Sequence, residues 1–341
     1  MRIWRSFLML AVSLALPLSL SAEPKTDPKG KRDPKNKKED VEAIGDREVG
    51  GGMNFYSLER EIGLGKRLAQ DIERHAKIVD DPVIAEYVNR VGQNLVRNSD
   101  AKVPFTIKLI DSQEINAFAL PGGFFYVNAG LFLRAESEAE LAGVMAHEIA
   151  HVAARHGTKQ ATKGQVMQLA TIPLIFMGGW TGYGIYQAAG FAIPITFLRF
   201  SRQAETEADF LGLQYLYKSG YDPTAFVDFF EKMKADEKRK PGTMSKLFRS
   251  HPPHGKRIVK VQKTIDSLLP NKPEYVVSTS EFLDIKRQLS ATVTRGARKR
   301  AEEDPDRPTL RRAPSGDPTI PADDEGLGTE EEEDRPTLKR R

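Results

Sequence analysis

The chain of 341 residues contains no cysteine, which excludes a disulfide framework and an N-terminus lipidated through cysteine. Its 51 basic and 47 acidic residues nearly cancel, leaving +4, so the charge gives no argument for nucleic acid as a partner. No aspartate or glutamate occurs from Val152 to Ser201, and no charged residue of either sign from Gly164 to Leu198. No repeat period is visible, which leaves no basis for a helical solenoid.

What is present at the N-terminus is Arg2 and Arg5, an apolar run from Phe7 to about Leu18, and small residues at Ser19, Ser21 and Ala22. This layout predicts a cleavable signal peptide over 1–22 and therefore export. A membrane anchor is the alternative, although the run is short for a span and Pro17 interrupts it. Loss of the two arginines lowers the net charge to about +2. Residues 23–53 read as a basic disordered linker, because Glu23 to Lys38 holds seven Lys or Arg against three acids and repeats Asp-Pro-Lys. Contact of this linker with an anionic membrane surface is a second reading. At the other end, 291–341 reads as a disordered charged tail. Within it "DRPTLRR" (Asp306 to Arg312) recurs as "DRPTLKR" (Asp334 to Arg340), either a docking motif for a partner or a duplication without function.

Between these ends, 54–290 reads as one folded domain. Apolar spacing predicts helices over Ser57 to His75 and Pro82 to Val96, with Pro82 at a first helical position. Val103 to Asp111 and Ile115 to Gly130 read as strands, broken by Pro121, Gly122 and Gly123. Helices, a short sheet, then long helices give an α+β class, mainly helical, with a small antiparallel sheet.

The sequence "SEAELAGVMAHEIAHVAARHG" carries the chemistry. Ser137 and Glu140 form a capping box, so a helix is expected to begin there and run until Gly157. On it His147 and His151 lie one turn apart on one face, where two imidazoles can converge on one metal ion beside Glu148. The bland alternative is a helix that happens to carry two histidines. A catalytic zinc needs a third protein ligand and a place for water. A metzincin layout fails because the chain has Ala154 and Gly157. A thermolysin-like glutamate some twenty residues on is excluded, since no acid occurs between Val152 and Ser201. The first carboxylates after Glu148 lie in "SRQAETEADFLGLQYLYKSG", a second helical pattern from about Ser201 to Gly220. Glu205 and Asp209 share a face there, and Glu207 points elsewhere. Glu205 is the candidate third ligand and Asp209 the candidate partner for the free nitrogen of a liganding histidine. A solvated acidic face is the alternative.

HEIAH, Glu205-Thr-Glu-Ala-Asp209, "NAFALPGG" (Asn116 to Gly123) and "SHPPHGKRI" (Ser250 to Ile258) together resemble the zinc-metallopeptidase family that includes the CAAX prenyl protease, HtpX and the periplasmic proteases BepA and LoiP. The similarity covers about Asn54 to Leu289. It implies a gluzincin-type domain with one zinc ion on His147, His151 and Glu205, Glu148 as catalytic base and Asp209 in support. It also implies that Asn116, Phe118, Pro121 and Gly122 belong to an edge strand along which substrate lies. His251 matches a histidine that restrains activity in BepA-like relatives, so it is a candidate inhibitory fourth ligand. Arg257 and Arg202 are further candidates for supporting the transition state. His254, His156 and His75 read as surface histidines.

The expected function is a zinc endopeptidase acting on unfolded or misassembled envelope proteins, exported to a bacterial periplasm. A zinc-containing chaperone or adaptor is the alternative, disfavoured by an intact Glu148. The uncharged stretch 164–198 is broken by Pro173, Gly178, Gly179, Gly182, Gly184 and Pro194, which argues against a membrane hairpin; the resemblance to BepA implies instead a loop near the cleft that touches a membrane or client. A buried helix pair is the plain alternative. Unlike BepA, the chain shows no helical repeats after the domain.

Overall fold

The structure is a computed structural model that describes residues 36–166, 200–239, 251 and 255–302. The signal peptide, the stretch 167–198, His254 and both copies of the tail motif lie outside the described residues. The chain divides into two compact units, Met1–Gly296 and Ala297–Arg341. The first holds the sheet and the HEIAH helix.

Helices α1 (Leu58–His75) and α2 (Pro82–Arg97) start where local chemistry dictates. Ser57 accepts from the Arg60 N–H, and Asp81 accepts from the Val83 and Ile84 N–H groups, with Pro82 supplying no N–H at the first position. Strands β1 (Thr106–Ile110), β2 (Ala117–Leu120) and β3 (Phe124–Asn128) follow, and a helical turn Pro121–Gly123 joins the last two. Gly122 makes that turn feasible: its φ is 77°, and a Cβ there would sit 2.6 Å from Ile62 Cα of α1.

The strand order is β1-β3-β2. The class is α+β as expected, but the sheet is mixed: β3 pairs antiparallel with β2 and parallel with β1. The β2–β3 hairpin inserts β3 beside β1, and β2 is left at the edge. The other flank of β1 is covered, since the Val79 N–H donates to Leu109 and the Asp111 N–H to Lys77.

After a short α3 (Ala129–Arg134) comes α4 (Glu138–Ala153), buried at every residue. The Ser137 side chain accepts from the Glu140 N–H, while the Glu140 carboxylate accepts from the Glu136 N–H, one residue further back than a reciprocal box would place it. The helix does not run to Gly157. It ends at Ala153, Arg155 takes a left-handed φ of 57°, and helix resumes over 156–166. Arg155 is held there by Glu61, its Nε donating to Oε2 at 2.7 Å. Gly157 provides closeness instead of a stop, since a Cβ would lie 3.2 Å from Pro121 Cγ.

Helix α5 (Arg202–Lys218) packs along α4, with Ser201 accepting from the Ala204 N–H and Gly220 at φ 90° closing it. Helices α6 (Thr224–Arg239) and α7 (Gly255–Leu268) cover α4 and α5, and α8 (Ser280–Glu302) follows. No helix among the described residues is long and apolar enough to cross a membrane.

Residues on either side of 54–290 also pack onto the fold. The basic linker is not free throughout: Val41 and Arg47 are buried, and Arg47 Nε donates to Asp100 Oδ2 at 2.8 Å. The tail boundary at 290 falls inside α8, because Phe282, Ile285, Leu289 and Val293 continue one buried stripe at helical spacing. In each case a few anchoring side chains outweigh a polar average.

Candidate metal centre

Helix α4 presents His147, Glu148 and His151 from inside the core, and all are at least 98% buried. Helix α5 can bring carboxylates to them because Gly212 lets the two backbones nearly touch. A Cβ at Gly212 would stand 3.0 Å from His147 N and Cα. One helical turn and more toward the N-terminus of α5, Glu205 and Asp209 thereby face the two imidazoles.

The distances describe a closed set of four ligand side chains. His147 Nε2 lies 3.1 Å from His151 Nε2 and 3.3 Å from His251 Nδ1. Glu205 Oε1 lies 2.9 Å from His251 Nδ1 and 3.6 Å from His151 Nε2, and its Oε2 lies 3.6 Å from His147 Nε2. Nitrogen and oxygen ligands about 2.0–2.1 Å from a central ion at tetrahedral angles are spaced about 3.3–3.4 Å apart. The four donors fit a small divalent cation.

Charged and aromatic side chains surround the set, although His147 Nδ1, Glu148 Oε1 and Glu205 Oε2 make no hydrogen bond. His147 Nδ1 faces Asp209 Oδ1 at 3.2 Å, and Arg257 clamps Asp209 with Nε and Nη2 at 2.6 and 2.7 Å. Arg257 Nη1 also reaches Glu205 Oε2 at 3.0 Å. Phe200 stacks on His151, ring centres 4.0 Å apart. Glu148 Oε1 stands 3.4 Å from His251 Nε2, and the Ala119 backbone N–H donates to the Glu148 carboxylate.

The electrostatics follow from burial and these partners. Burial opposes the charged form of His147, but Asp209 and Glu205 outweigh it and raise the imidazole to about 9. Burial drives His151 well below its ordinary range, helped by the charge of His147. Burial would raise Glu205, yet hydrogen bonds from His147 and His251 hold it far below the usual carboxylate range. Burial raises Glu148, opposed by His251 and His147. Raising a carboxyl in this way is what a proton acceptor requires.

Of the remaining sequence candidates, Arg202 is exposed at the start of α5 and stands outside the ligand set. The edge-strand residues divide. Asn116 accepts from the Asn128 N–H at 3.0 Å, so the antiparallel alternation turns Asn116 and Phe118 toward β3 and leaves Ala117 and Ala119 with backbone groups on the free side. Pro121 and Gly122 are buried against α1. His75 is exposed as expected. His156 is a correction: it is 6% exposed and lies against His151. The break at Arg155 returns it to the site, and no local motif marks that break. Glu207, which points away from the ligands, accepts from the Gly50 N–H at 3.1 Å.

A model of peptidase family M48 matches residues 82–265. The beta-barrel assembly-enhancing protease of Escherichia coli (strain K12) is 30% identical over 234 residues, covering 66% of this chain and 47% of that protein. The protein of the same name from Yersinia pestis is 29% identical over 247 residues, covering 68% and 49%. The mitochondrial metalloendopeptidase OMA1 of Schizosaccharomyces pombe is 31% identical over 182 residues, covering 52% of each. The chain spans about half the length of these curated relatives.

Proposed function

Because the chain belongs to peptidase family M48, we propose that it is a zinc-dependent endopeptidase acting on unfolded or misassembled proteins of a bacterial cell envelope. The observation that carries this reading is the convergence of His147, His151, Glu205 and His251 within 4.8 Å of one another, with the Glu148 carboxylate beside them. Three histidines and one carboxylate with tetrahedral spacing suit zinc better than a hard cation that prefers six or more oxygens.

One zinc ion per chain would be held by His147, His151 and Glu205, and when bound it supplies Lewis acidity for water and for a scissile carbonyl. The chain's own groups do the rest. Glu148, raised by burial, takes the proton of the attacking water and delivers it to the departing amine nitrogen. Asp209, fixed by Arg257, holds the His147 ring. The outer side of β2, at Ala117 and the Ala119 carbonyl, gives an extended substrate backbone groups to pair with, while the Ala119 N–H serves Glu148. Arg257, whose charge is already shared by Asp209 and Glu205, serves the ligands more than the substrate.

His251 gives the reading its regulatory part. Its Nδ1 stands among the other ligand atoms and its Nε2 faces the base, so with zinc bound it would keep water and substrate out until it withdraws. The names of the bacterial relatives place their activity at beta-barrel assembly, which supports an envelope role for this chain. Client contact through 164–198 and a docking partner for the tail motif complete the proposal.

The test is hydrolysis of casein by the His251→Ala chain after chelation and after repletion. Loss on chelation with recovery by zinc and not by magnesium supports it. A rate indifferent to chelation refutes it and leaves the chaperone reading.

A further inference from the structure

His151 has a neighbour that the ligand set does not use. His156 Nδ1 lies 2.9 Å from His151 Nδ1, and His156 Nε2 lies 3.4 Å from Glu207 Oε2. His151 turns Nε2 toward His147 and Glu205, so Nδ1 is the nitrogen facing away from the ligands. A neutral imidazole that binds metal through Nε2 carries its proton on Nδ1, and that proton needs an acceptor. His156 Nδ1 is placed to be that acceptor. The proton of His156 must then sit on Nε2, where the Glu207 carboxylate receives it.

One ionised carboxylate at the far end thus dictates the tautomer of both rings. Glu207 Oε2 is set against His156 Nε2 at 3.4 Å. It is also fixed in place by the Gly50 N–H at 3.1 Å and by Lys38 Nζ at 3.6 Å. Rotation of the His151 ring is blocked from two sides, by the stacked Phe200 and by His156 at 4.9 Å with the rings 71° apart.

We propose that His156 and Glu207 are positioning residues that hold His151 in its metal-binding tautomer, doing for His151 what Asp209 and Arg257 do for His147. The inference rests on the metal-centre reading. It accounts for a histidine buried to 6% exposure and for a carboxylate on the side of α5 turned from the ligands.

The experiment is zinc affinity of the full chain by competition with a chromophoric chelator, accompanied by the visible spectrum of the cobalt(II)-substituted protein. His156→Leu fills the space without an acceptor and is expected to weaken zinc about 10–100-fold. His156→Asn places an amide oxygen near the Nδ1 position and is expected to recover most of that loss. Glu207→Ala, at a half-exposed position away from the ligands, is expected to weaken zinc roughly tenfold and to shift the cobalt bands. Parent-like affinity in both His156→Leu and Glu207→Ala would overturn the proposal, as would His156→Asn binding no better than His156→Leu. If His156→Leu does not fold, parent-like affinity in Glu207→Ala alone overturns it. A parent chain that binds no zinc would instead refute the metal reading itself.

Discussion

His251 stands between Glu205 and Glu148, with Nδ1 2.9 Å from Glu205 Oε1 and Nε2 3.4 Å from Glu148 Oε1. In the proposed metal centre one imidazole would therefore fill both the fourth ligand place and the approach to the base. His251→Ala is predicted to retain zinc, through the remaining three ligands, and to raise kcat/KM for casein at least about tenfold, equivalent to about 1.4 kcal/mol of relieved barrier. An unchanged or lower rate at full zinc occupancy would contradict latency.

Zinc affinity is predicted to depend on pH through His147. Its folded, metal-free value of about 9 lies above the ordinary 6.5, so protonation stabilises the metal-free fold. That stabilisation is fully present below about 6.5 and is lost as pH rises through about 9. Zinc must displace the same proton, so its apparent affinity falls about tenfold for each pH unit lowered between about 9 and 6.5. Chelator competition across that interval measures the slope, and a flat profile would contradict the pairing of His147 with Asp209.

The arm before α1 is predicted to be part of the folded unit. Arg47 and Asp100 have side chains 1% and 0% exposed, and Asp100 also accepts from the Gly45 N–H and the Tyr215 hydroxyl. Arg47→Met removes one partner of a buried pair and should cost about 3–5 kcal/mol in urea unfolding. A loss below about 1 kcal/mol, the range of an exposed pair, would mean that the arm is dispensable.

The HEIAH helix, its Ser137 cap and the pairing of Glu205 with Asp209 on one face were legible because each is a local pattern of one helix. What a single helix cannot state is how near its neighbour comes, and that is set by Gly212 against His147. The clamp of Arg257 on Asp209 joins residues 48 apart in sequence and has no spacing rule. His156 was illegible for a sharper reason. On an unbroken helix it would lie about 140° around from His151, and only the left-handed Arg155 brings it back. The mixed sheet escaped because alternation and turn residues report strands and hairpins but not the direction of a non-adjacent partner. In the N-terminal arm, lysine-rich composition concealed one buried arginine.

Glu148 is proposed as the proton acceptor of a zinc peptidase built on His147, His151 and Glu205. The most direct measurement is casein cleavage by His251→Ala and by His251→Ala/Glu148→Gln at equal, measured zinc content. One zinc per chain is expected in both, with a rate at least about a hundredfold lower in the second, the range removed with a general base. Equal rates at equal zinc would contradict it.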